Sequence, residues 1–207
     1  MRGFRVTRDA LRPSFRIGPA ARLRRVLADF ESAIDRLEEA LKNCPDEHWG
    51  SSVWVVRRSD PWMWPRAGDG DGRTEEAIQV FSAFWLIAYH CLFFLDFYCW
   101  DQIGRFATPP KFANGPEDQG IDEFGAARFP NVKYSRDQLL GYVEYCRGRV
   151  RETVNNLTDA QRAIKLRARH PHAGKTFEQL IGVNLAHVRE HGDQLNAFIA
   201  RGCVTRP

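Results

Sequence analysis

The chain has 207 residues, 43% hydrophobic and 27% charged, a composition that suits a globular protein rather than a disordered one. Its formal charge of +4 is uneven: residues 1–25 hold eight Arg against one Asp, a contribution of +7, so the rest of the chain carries a net −3. Basicity at one end, without alternating basic and aromatic residues, excludes a nucleic-acid groove, and five cysteines without a CxxC pair exclude a disulfide framework and point to a reduced, cytoplasmic setting.

Residues 1–18 show no useful periodicity and are read as a flexible Arg-rich arm, leaving 19–207 as the folded domain. With 25 Arg against 5 Lys in the whole chain, codon bias accounts for the arm more simply than targeting does. The first predicted helix runs from Pro19 to Asn43. Leu23, Leu27, Phe30, Ile34, Leu37 and Leu41 repeat there in steps of 3 and 4, the seam of a helix bundle, and Cys44-Pro45 ends it. Residues 45–74 form a long loop with Trp49, Trp54, Trp62 and Trp64, which either plug the end of the bundle or wall a pocket. Ser51 to Arg57 is a candidate short strand.

The second predicted helix, Glu75 to about Gly104, is the most apolar stretch. Its length would suit a membrane span. His90, Asp96 and Ser82 interrupt it, however, and the amphipathic helices need a central partner, so it reads as the buried member of a bundle with no membrane involved. His90 lies near its middle among Tyr89, Cys91, Phe93 and Phe94. Asp96, six residues on, is read as a structural or supporting carboxylate.

After a second long loop over 105–134, Ser135-Arg-Asp-Gln138 forms a capping box. It opens a third helix with Leu139, Val143, Cys146, Val150, Val154 and Leu157 on one side. Thr158-Asp-Ala-Gln161 caps a short turn. His170 and His172 fall in a basic turn and are expected to be exposed to solvent. Gly174-Lys175-Thr176 is no phosphate loop, because Arg169 stands where the first glycine is required.

The last helix, Thr176 to Arg201, carries Phe177, Leu180, Ile181, Val188, Leu195, Phe198 and Ile199 on one stripe. Asn184, His187 and His191 lie inside that stripe. His187 and His191 stand at i and i+4, so both imidazoles reach one ion, and His90 is the candidate third ligand. Three imidazoles plus an open position is the arrangement of a catalytic site rather than a closed structural one. His187-Val-Arg-Glu190-His191 also fits H-x-x-E-H, the inverted zinc-peptidase pattern. That pattern needs a downstream carboxylate, and Asp193 is the sole acid after His191, so the peptidase reading is set aside.

Tyr89-His90-Cys-Leu-Phe-Phe-Leu-Asp96-Phe-Tyr, Tyr134-Ser-Arg-Asp-Gln-Leu-Leu-Gly-Tyr142 and His187-x3-His191-x2-Gln194-Leu195 resemble the DinB/YfiT-like family over about residues 20–203. The resemblance implies an all-α, up-down-down-up four-helix bundle, often a homodimer. It also implies one divalent metal, zinc or nickel with iron as a further option, on His90, His187 and His191. Activities in the wider superfamily include transfer with low-molecular-weight thiols and an isomerisation. The expected function is thus a metal-dependent thiol transferase or small hydrolase acting on a small molecule. The alternative is a metal- or ligand-binding stress protein without turnover.

Overall fold

The computed structural model describes residues 19–57, 59–60, 74, 78–100, 106, 112, 133–168 and 170–205. Residues 1–18, Trp62, Trp64, Glu75, Gly104 and most of 105–134 lie outside them. Among the described residues the protein is helical with no strand: α1 (Pro19–Asn43), α2 (Phe84–Phe97), α3 (Arg136–Asn155), the short α4 (Asp159–Ala163) and α5 (Phe177–Ala200). The four longer helices form a ring in which α1 and α2 each pack on both α3 and α5.

The predicted seams bury as their spacing requires. Phe30, Ile34, Leu37 and Leu41 of α1 are core, with Leu23 and Leu27 half-buried at its start. Leu139, Val143, Cys146, Val150 and Val154 fill the core from α3, and Leu180, Val188, Leu195 and Phe198 from α5. Both long helices open on capping boxes, Ser135 with Gln138 and Thr176 with Gln179, and α4 has a third, Thr158 with Gln161. Each box gives one serine or threonine oxygen to a backbone N–H that has no partner within the helix.

The second helix is shorter than its apolar run. Between Gln79 and Trp100 the regular α-helix spans Phe84–Phe97, preceded by a 3₁₀ turn over Gln79–Ser82. Ala83 is extended, with φ −60° and ψ 138°, and separates the two. The break has a partner across the chain: Val53 N–H donates to Ser82 O at 2.8 Å, and Phe84 N–H donates to Ser51 O at 3.0 Å. Ser82 Oγ donates to Trp54 O at 2.6 Å. Hydropathy cannot register this, because both states bury the same side chains. The same contacts replace the expected strand at Ser51–Arg57 by one isolated bridge, Ser52 to Ala83. No helix among the described residues is long and apolar enough to cross a membrane.

Arg147 of α3 is 8% exposed and crosses to α1, where it bonds Glu31 at 2.9 Å, Asp35 at 2.7 Å and Glu38 at 2.7 Å. Burial opposes its charge, but the Glu31 and Asp35 bonds outweigh this and hold its pKa above the ordinary arginine value. Glu31 is held low in turn: Arg151 and Arg147 overcome the effect of burial.

Candidate metal centre

Thirteen of the fourteen residues of α2 are buried, and His90 is the exception. The α5 stripe delivers His187 and His191 to the same place. Nε2 of His187 lies 3.3 Å from Nε2 of His90 and 3.1 Å from Nε2 of His191. The three ligand atoms all fall within 4.8 Å of one another, and each residue is half-buried rather than sealed. The sequence-predicted trio is therefore brought together.

Two sides of this triangle have the dimensions of a ligand set, and the third lies within 4.8 Å. Nitrogens about 2.0–2.1 Å from one tetrahedral ion stand about 3.3 Å from each other. Hydrogen bonding within the trio is a poorer account. His191 Nδ1 lies 2.8 Å from Gln194 Oε1, an acceptor, so Nδ1 carries the proton and Nε2 faces the triangle as a lone pair. A proton on Nε2 of His187 can serve one neighbour, not two. A cation satisfies all three lone pairs at once.

Burial keeps the rings neutral, the state a metal ligand requires. It pushes His90 well below the ordinary histidine pKa, with His191 and His187 adding to the effect. Burial, with His191 and His172 nearby, brings His187 down to about 3. Burial also lowers His191, against the opposing effects of Gln194 and Glu190.

The surroundings on one side are aromatic. His90, Phe94 and Tyr98 follow at i, i+4 and i+8, with ring centroids 4.7 and 5.3 Å apart in succession. Phe94 also meets the His187 ring at 5.7 Å. Tyr98 shares a hydrogen bond with His172 Nε2 at 3.1 Å.

That contact corrects the expectation for the basic turn. His170 is 5% exposed, stacked on Phe97 at 5.5 Å, and His172 is half-buried. The turn is folded on itself: His172 N–H donates to His170 Nδ1, Gly174 N–H to Leu166 O and Leu166 N–H to Lys175 O. Gly174 takes φ +82°, which a side chain would strain. Histidines in a polar run read as exposed, and only the tertiary stack on α2 hides them.

Other candidates fall away from the trio. Asp96 is fully buried between α2 and α3, bonded by Tyr142 Oη at 3.3 Å and Trp100 Nε1 at 3.4 Å, and is structural. Six residues along the helix from His90, it lies about 120° around the axis. Glu190 is exposed. Trp49 packs on Phe84 at 5.6 Å and, with Lys133, Tyr134 and Arg136, lines a separate surface cleft of about 390 Å³. Gln194, the partner of His191 Nδ1, is a residue that reasoning from charge and hydropathy passes over. Its signal is its place three residues after His191 on the same helix.

In comparisons with known proteins, the family model of the DinB superfamily matches residues 29–195. No curated protein and no solved structure matches the chain. The matched span includes all three histidines and runs from the middle of α1 to the last turns of α5. By that match the chain belongs to the DinB superfamily.

Proposed function

We propose that the chain holds one divalent ion on His90, His187 and His191 and acts through it on a small molecule, by thiol transfer or hydrolysis. The observation that carries the reading is the triangle of Nε2 atoms, 3.1 and 3.3 Å apart, on rings left half-buried. Imidazole sets suit zinc and nickel, with iron a further option. When bound by three neutral imidazoles, such an ion keeps its full charge and supplies Lewis acidity toward a coordinated water or thiol.

The chain's own residues support that use. His90 interrupts an otherwise buried helix, so the core opens at the trio itself. Phe94 and Tyr98 form an apolar wall against which a substrate's carbon skeleton can lie, and they exclude water on that side. The five described cysteines are all buried and free, and burial pushes the thiols of Cys91, Cys99 and Cys146 far up. None is a thiolate at neutral pH, so the nucleophile is an added low-molecular-weight thiol or water. A homodimer fits the same reading and is read by sedimentation.

The test is elemental analysis of protein purified without an affinity tag, followed by assays with low-molecular-weight thiols and model electrophiles. One metal per chain is expected, abolished in His191→Ala and kept in His172→Ala. Activity that survives His90→Ala but not Cys91→Ser would refute the metal reading.

A further inference from the structure

His191 has an outer partner and His187 does not. Gln194, three residues further along α5, takes the Nδ1–H of His191 at 2.8 Å. Nδ1 of His187 is buried and makes no hydrogen bond. With Nε2 turned into the triangle, Nδ1 must carry the ring's proton in any loaded state. It is then a buried donor without an acceptor.

The complementary defect lies one turn away. Asn184 is fully buried, and its Nδ2 donates to Leu95 O at 3.0 Å while its Oδ1 receives nothing. The Leu95 bond fixes which amide atom is which, because the flipped amide would set oxygen against oxygen. Asn184 and His187 are three apart on one helix, the spacing of side-chain neighbours, and both point into the bundle. The two residues are therefore neighbours on one helix face, and each keeps a buried atom without a partner, one able to donate and the other to accept.

We propose that Asn184 is the positioning residue of His187: its Oδ1 takes the Nδ1–H, across one interior water or after a small side-chain rotation. Helix α5 then carries two outer pairs in mirror order, Asn184 before His187 and Gln194 after His191. Each pair fixes the tautomer and ring plane of its ligand, so that both Nε2 lone pairs aim at the same point. The inference rests on the metal reading above and adds the residue that holds the second ligand in register.

The experiment uses the full chain with zinc as the probe. Affinity is measured by competition with a chromophoric chelator for wild type, Asn184→Leu and Asn184→Asp, and long-range ¹H–¹⁵N spectra of the zinc-loaded proteins report the imidazole protons. Asn184→Leu, which has no acceptor, should bind zinc about 10–100-fold more weakly, and its His187 Nδ1–H signal should vanish by exchange. Asn184→Asp keeps an acceptor and loses the Leu95 bond, so it should stay within about threefold of wild type. Undiminished zinc affinity in Asn184→Leu overturns the proposal. So does an equal loss in Asn184→Asp, which would assign the effect to the Leu95 bond. Should Asn184→Leu not fold, the wild-type spectrum decides: a His187 Nδ1–H that exchanges as fast as free imidazole overturns the proposal, and a protected one supports it. Absence of zinc from the wild type removes the metal reading itself, and this inference with it.

Discussion

Burial lowers the proton affinity of each imidazole in the trio, and this sets the pH behaviour of the metal-free protein. The folded pKa of His187 lies near 3, below its unfolded value of about 6.5. As pH falls below about 6.5 the unfolded chain takes up protons that the folded chain refuses, so stability drops. Thermal melts of metal-free protein should therefore decline between pH 7 and pH 5, and less so in His187→Phe. Equal declines in both would count against the buried trio. Asp96 has the opposite sign. Burial pushes it up to about 6, with Trp100, Arg149 and Tyr142 only partly offsetting. A raised carboxylate pKa contributes stability below the unfolded value near 4 and loses it as pH rises through 6. Each tenfold change in proton affinity on folding is worth about 1.4 kcal/mol, so Asp96→Asn should stabilise the protein at pH 8 by about 1–3 kcal/mol. The gain should shrink at pH 5, and urea titration at both values checks this. At this scale the site was legible where periodicity alone decides: His187 and His191 share an apolar stripe, and His90 lies in an apolar helix. His170, Tyr98 and Asn184 were not legible as partners, because their contacts depend on how a turn stacks on α2 and how α5 crosses it.

Among the elements, α1 and α3 are tied by a single buried cation. Arg147 meets Glu31, Asp35 and Glu38 across the helix pair, with Glu144 of its own helix at 3.4 Å. Removing it leaves several carboxylates facing a methylene stem, and the cost exceeds that of a surface pair because Arg147 itself is buried. Arg147→Met should lose about 1–3 kcal/mol in urea unfolding at neutral pH. The loss should narrow as pH falls through the lowered folded pKa of Glu31, where the carboxylates discharge. An unchanged midpoint would show the network to be energetically idle. The helix pattern itself was readable for α1, α3 and α5, whose polar faces reveal the period. It was not for α2, where the nearly unbroken apolar run around it carries no phase and the break at Ala83 is made by backbone bonds to Ser51 and Val53.

For the molecule as a whole, the centre ties α2 to α5 at one point within the ring of helices. A bound ion should therefore act as a non-covalent brace. At 100 times its dissociation constant it adds about 2.7 kcal/mol, which for a domain of this size raises the melting temperature by about 5–10 °C. Chelation should remove that increment in wild type and have no effect in His191→Ala; a melting curve indifferent to chelator in wild type would mean no such brace. The superfamily membership fits an all-helical body with the trio between facing helices.

One of the three imidazoles stands far from the other two in the order of synthesis. His90 leaves the ribosome nearly a hundred residues before the His187 and His191 pair. Before the bundle closes, the pair on α5 offers an ion two nitrogens, and the third is separated from them by a long, entropically costly loop. On the proposed metal reading, loading is a late step, after α2 and α5 have docked, and the empty folded protein precedes the loaded one. Refolding rates should be the same with and without metal, while unfolding should slow in its presence. On that reading a cell short of the ion would accumulate folded, unloaded chains rather than misfolded ones.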